Sequence, residues 1–155
     1  MIRYAGILAI TLVAGVANAE TSHADWTSKS ENGHCWAMSG PSSSEGGIAG
    51  RSGPYVSIQN VPSEDVRGSI AFVSGTELTA EGEAKVQVDG QSFEVLPFKD
   101  AAFAGSGKPE AALVGAMRRG HELVVTWTTK DGSTATDRYS LSGFGAAKSA
   151  VDACK

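Results

Sequence analysis

Apolar and polar side chains alternate along most of this chain, and turn-forming dipeptides separate the alternating stretches. This is the pattern of strands with one face in a core and the other toward water. It predicts strands at residues 25–30, 34–39, 55–60, 66–73, 84–88, 92–96, 121–129 and 134–141. Two other stretches carry a helical stripe. Pro109 in a first turn with Glu110 behind it opens one helix, and Gly120 stops it after Arg118 and Arg119. A second helix is expected over residues 144–154, where Phe144, Ala147, Val151 and Cys154 share a face and Ser142 is the N-cap. The expected fold is all-β: an antiparallel β-sandwich with two short helices and one disulfide. Residues 40–50, rich in Gly and Ser, read as a mobile surface loop.

Side-chain parity fixes the register of two hairpins. A two-residue loop at Asp89-Gly90 places Val86 opposite Phe93 and Ala84 opposite Val95, so every apolar residue shares one face of a type I′ hairpin. The same loop at Asp131-Gly132 would put Arg138 among Leu123, Val125 and Trp127. A three-residue loop, Lys130-Asp131-Gly132, restores an apolar face. It pairs Trp127 with Ala135, Val125 with Asp137 and Leu123 with Tyr139, with Gly132 in the left-handed position of a bulge. Asp137 is then the odd polar residue on that face, at the sheet rim or accepting hydrogen bonds from a turn.

The first residues set the compartment. Arg3, an apolar run over residues 4–16 and the small-x-small triplet Ala17-Asn18-Ala19 form a signal peptide of residues 1–19, with Glu20 as the new N-terminus. The run is short of the ~20 residues of a spanning helix. No later segment is apolar enough to span, so no integral membrane segment is expected after cleavage. Residues 20–155 are read as a single domain, periplasmic or secreted. The chain has 13 Lys and Arg against 17 Asp and Glu; losing Arg3 leaves 12 against 17, a net charge of −5. That balance argues against a nucleic-acid partner, because phosphate binding needs a basic footprint. Only Cys35 and Cys154 carry thiols, and in an oxidising compartment they are expected to pair.

Candidate chemistry is sparse. His121, Asp137 and Ser140 are the members of a possible triad, but no G-x-S-x-G elbow accompanies them. His23, Asp25 and His34 are close in sequence without the spacing of a structural zinc site. The carboxylate pairs Glu64-Asp65 and Glu81 with Glu83 sit in turns or at a strand start, as solvated punctuation does. No phosphate-binding loop or dinucleotide fingerprint occurs. Neither cofactor nor metal is expected, nor an enzyme. Trp26, Trp36 and Trp127 each lie in an alternating strand and are expected in the core rather than on a sugar-binding platform. The loop over residues 40–53, with Ser42, Ser43, Ser44 and Arg51, is the expected binding surface, because loops on rigid scaffolds carry function.

An ordered set of short motifs resembles the invasion-associated locus B family of alphaproteobacterial exported proteins. It comprises Asp25-Trp26; Cys35-Trp36-Ala37-Met38-Ser39-Gly40-Pro41; Arg51; Tyr55-Val56-Ser57-Ile58; Val88-Asp89-Gly90 with Phe93; and Ala116-Met117-Arg118-Arg119-Gly120. The most specific stretch runs from Gly132 through Thr136-Asp137-Arg138-Tyr139-Ser140-Leu141-Ser142-Gly143-Phe144, closing with Ala147 and Cys154. The resemblance implies a small secreted or periplasmic β-sandwich that contributes to host-cell entry in pathogenic members, and it implies no catalytic residue or cofactor. The expected function is a non-enzymatic envelope or surface binding module with an unknown envelope or host-surface ligand. Two other classes are a periplasmic hydrolase acting on envelope glycan and an inhibitor protecting the envelope, for instance against a host lysozyme.

Overall fold

The computed structural model describes residues 19–78 and 81–154; the expected leader lies outside them up to residue 18. Among the described residues, twelve strands and two α-helices follow in chain order, with a short 3-10 helix at Pro62–Glu64. The strands are β1 (Ala19–His23), β2 (Trp26–Glu31), β3 (His34–Ser39), β4 (Ser43–Gly46), β5 (Tyr55–Val61), β6 (Val66–Val73), β7 (Glu83–Val88), β8 (Gln91–Phe93), β9 (Val95–Phe98), β10 (Ala101–Ala104), β11 (Glu122–Thr128) and β12 (Thr134–Ser140). Helix α1 (Lys108–Arg119) precedes β11, and α2 (Phe144–Asp152) follows β12. A seven-stranded sheet has the order β1-β2-β3-β5-β6-β10-β9, and a five-stranded sheet has the order β4-β12-β11-β7-β8. All paired strands are antiparallel.

Alternation decides what lies between the layers. The larger sheet turns Trp26, Ala37, Val56, Ile58, Ile70 and Phe72 inward; the smaller one turns Val86, Leu123, Val125, Trp127 and Tyr139 inward. These residues and the buried stripes of both helices form one core cluster. Helix α2 packs on β2, β3 and β5, with Phe144 edge-on to Trp26 at a ring separation of 4.9 Å. Just beyond α2, Cys154 is disulfide-bonded to Cys35 of β3 across 119 residues. In the chain-entropy picture a loop of that length stabilises the fold by about 4 to 5 kcal/mol.

The register at Gly132 follows the parity expectation throughout, and the one at Asp89-Gly90 follows it as far as Val86. Asp89 and Gly90 both have positive φ, as a type I′ turn requires, and Val86 opposes Phe93. At the other turn, Gly132 has φ +84°, its N–H donates to the Thr129 carbonyl at 2.9 Å, and Trp127, Val125 and Leu123 face Ala135, Asp137 and Tyr139.

Several elements differ from expectation. The strand expected over residues 92–96 divides: β8 ends at Phe93, and Val95 crosses to the other sheet to pair with Ala104 rather than Ala84. Pro97 lacks an N–H and suits the edge position that β9 takes there. Ser142 is not the cap of α2; Gly143 is, at φ +89°, and a side chain on it would collide with the His23 carbonyl. Gly120 ends α1 in an extended rather than a left-handed conformation. Three strands, β1, β4 and β10, lie outside the expected set. Trp26 and Trp127 are core residues, but Trp36 is not: Cys35, Ala37 and Ser39 take the inward positions of β3, so Trp36 faces outward, half-buried.

Candidate functional site

The segment expected to be a mobile loop is instead fastened to both sheets. Its β4 portion pairs with β12, placing Ser44 opposite Asp137. The Asp137 side chain is fully buried and forms an ion pair with Arg51, whose own side chain is 10 % exposed. The Asp137 carboxylate also accepts hydrogen bonds from Ser44 Oγ and from Trp127 Nε1, the latter at 2.9 Å. Arg51 Nε donates to the Ser74 carbonyl at 2.6 Å, just past β6. One guanidinium therefore links the five-stranded sheet to the end of a strand in the seven-stranded one. Beside it, burial and the nearby Asp137 carboxylate push the Tyr139 phenol well above its usual range, with Arg51 partly opposing.

This geometry redistributes the expected binding residues. Arg51 and Ser44 are spent on Asp137, and Ser42 Oγ donates to the Arg138 carbonyl at 3.0 Å. Ser42, Ser43 and Ser44 all remain exposed on the surface, while the Arg51 side chain is turned inward to Asp137.

The other sequence candidates do not converge either. His121 is almost fully exposed and stands 3.6 Å from Asp89, while Asp137 is taken by Arg51, so the two are not partners. Asp89 accepts from the backbone N–H groups of Glu122 and His121, which hold its carboxyl below the usual range. His23 Nε2 bonds Ser28 Oγ at 2.8 Å, and His34 Nε2 bonds Gln59 Oε1 at 3.0 Å. No group of three metal-ligating side chains occurs among the described residues. Glu81 is paired with Lys130 at 3.1 Å.

The outer face of the seven-stranded sheet is the feature that sequence reasoning missed. Residues in register share a face. One row across five strands reads Met38, Ser57, Ala71, Phe103, Leu96. The next reads Tyr55, Val73, Ala101, Phe98. Trp36 stands beside the first row, its ring 4.6 Å from that of His34. Leu96, Phe98 and Phe103 are 70 %, 65 % and 38 % exposed, and Lys99 Nζ lies over the Phe98 ring. At about 4.8 Å per strand the first row runs about 19 Å and the second about 14 Å. The five-stranded sheet is the reverse: its outer rows carry Thr126, Thr136 and Lys85, then Val124, Arg138 and Gln87. No helix among the described residues is long and apolar enough to cross a membrane.

One family model matches, described as invasion associated locus B (IalB) protein, over residues 21–152. No curated protein and no solved structure matches the chain.

Proposed function

This chain belongs to the invasion associated locus B family, and from that premise we propose that it is an exported, non-enzymatic binding protein of the cell envelope, periplasmic or secreted, whose binding surface is the outer face of the seven-stranded sheet. The observation that carries the proposal is the exposure of Leu96, Phe98 and Phe103 together at the β10-β9 end of that face, beside Ala71 and Val73 of β6. Together they present on the order of 300 Å² of apolar surface, in the range where patches on soluble proteins serve recognition. The disulfide fits an oxidising compartment. A non-enzymatic role is supported by the state of Asp137: this carboxylate, the one fully buried among the described residues, is already engaged by Arg51, Ser44 and Trp127. The partner is an envelope component or, in a host-associated setting, a host surface; entry into host cells is the role that the family description carries.

The test is sedimentation of the labelled exported chain with isolated envelopes, compared with a Leu96→Ser, Phe98→Ser, Phe103→Ser variant. These side chains are outside the core, so the variant keeps the fold. Its binding should fall at least about tenfold, as for a recognition centre. Equal binding by the two proteins overturns the assignment. A strain carrying the variant, scored for both host-cell entry and detergent sensitivity, separates an invasion role from envelope maintenance.

A further inference from the structure

A second surface has the opposite character. Arg67 of β6, Arg118 of α1 and Lys148 of α2 line one depression of about 380 Å³, with Gly68, Val114 and Gly115 in its walls. Arg67 and Arg118 are exposed, and neither takes part in an ion pair among the described residues. Lys148 is held by Asp152 at 2.6 Å. The one acidic lining residue, Glu110, uses Oε1 to accept the Ile70 N–H at 3.0 Å. This positive cluster stands out in a chain whose overall charge is negative.

Gly115 gives an independent indication. It sits inside α1, where glycine is the least favourable residue after proline. A Cβ there would have only one neighbour within 4 Å, the guanidinium of Arg119, whose Nη1 would be 3.3 Å away. No backbone or core side chain needs the space. The glycine therefore weakens the helix and leaves room for a fourth positive charge against the wall of the depression.

We propose that this depression binds a phosphate-class oxyanion, with the Arg67 and Arg118 guanidinium groups as principal donors and Arg119 as a supporting charge. Guanidinium suits this ligand because its planar N–H fork matches pairs of phosphate oxygens. Free phosphate compounds and lipid headgroups share that chemistry.

The experiment is an NMR titration of the exported chain with pyrophosphate, alongside co-sedimentation with phosphatidylglycerol and phosphatidylcholine vesicles. Saturable shifts at the amides of Arg67, Gly68, Gly107, Ala111 and Gly115 are expected. Arg67→Ala with Arg118→Ala should weaken binding about tenfold or more, the loss of at least one charge-assisted contact. Glu110→Gln should tighten it. Gly115→Ala should raise Tm by about 2 to 4 °C while weakening binding, a pairing that a purely structural glycine would not give. Selective binding to phosphatidylglycerol vesicles assigns a lipid headgroup, and pyrophosphate shifts without vesicle binding assign a soluble phosphate; either supports the site. Absence of both, equal affinity in the double arginine variant, or a Gly115→Ala variant with unchanged affinity overturns it.

Discussion

Removing either member of the Arg51–Asp137 pair should cost far more than removing both. Asp137 is fully buried, and Arg51 is nearly so. Arg51→Met leaves the carboxylate with two neutral donors, Ser44 and Trp127, and no counter-charge. Stranding one charge of a buried pair costs about 3 to 5 kcal/mol, a large part of the 5 to 15 kcal/mol that holds a domain of this kind together. Asp137→Leu strands the guanidinium instead, with the Ser74 carbonyl and Ser44 Oγ as its remaining acceptors, and should cost a similar amount. The double variant strands no charge. It should lose much less than the sum of the singles, giving a coupling of roughly 3 kcal/mol or more. Urea unfolding followed by tryptophan fluorescence measures all four proteins, and Trp127 reports from inside the cluster. A constant m-value shows that midpoint shifts are stability changes. Amide exchange in β4 should quicken in both singles, since the bonds of Ser44 and Arg51 to Asp137 reinforce the pairing of that strand with β12. Singles that each lose under about 1 kcal/mol, or effects that simply add, would refute this account of the pair.

Tyr139 should make the chain sensitive to alkali. Its raised pKa keeps the folded phenol protonated where the unfolded chain releases the proton, near pH ~10. The stabilisation is whole below that value and is lost as pH rises toward the folded pKa. The urea midpoint should drop between pH 9 and pH 11, and the drop should be smaller in Tyr139→Phe; equal drops refute the assignment. Among the glycines, Gly143→Ala should cost about 3 kcal/mol or more, because the new methyl meets the His23 carbonyl as well as an unfavourable φ. Gly90→Ala, also at positive φ but in open space, should cost only about 1 to 2 kcal/mol. Similar melting temperatures for the two variants would count against close packing of the β1–α2 junction.

How much was legible depended on whether the information was local. The strands with clean alternation came through because period-two burial is written residue by residue, and β3 and β6 match their expected bounds. The hairpin at Gly132 was readable because a one-residue slip would have buried Arg138. The pairing of Cys35 with Cys154 followed from compartment and count. β4 left no trace because its residues, Ser-Ser-Glu-Gly, are all exposed and none is apolar; its identity as a strand lies in the pairing of Ser44 with Asp137, 93 residues away. Asp137 was recognised as out of place on its face, but nothing near it in the chain pointed to Arg51. β10, Ala-Ala-Phe-Ala, has little intrinsic strand preference and is held by β6 and β9 on either side. The apolar outer face went unseen for a related reason. Its strands carry apolar side chains on both faces, as in Cys35-Trp36-Ala37-Met38, Ile70-Ala71-Phe72-Val73 and Ala101-Ala102-Phe103-Ala104, so no single strand tells inner from outer, and only the registers of five strands together show Met38, Ala71, Phe103 and Leu96 in one row.

The two sheets pose a contrast that folding alone does not resolve. Both need an apolar inner face, and both have one. Folding requires nothing of the outer faces beyond solubility, and the five-stranded sheet meets that requirement with Thr, Lys, Arg and Gln in its outer rows. In the seven-stranded sheet the outer positions are polar toward β2, with Thr27, Lys29 and Gln59, but turn apolar toward β9, with Val73, Phe103, Phe98 and Leu96, and the most exposed of these lie at the β9 edge, where an unpaired strand already invites association. Pro97, in the middle of β9, removes one N–H from that edge and so hinders sheet-to-sheet polymerisation without making the face polar. An edge defended against its own kind beside a face left apolar is what a surface kept for a different partner requires. The same reasoning separates this face from the basic depression beside α1: one recognises apolar surface and the other charge, and they are built on different parts of the fold.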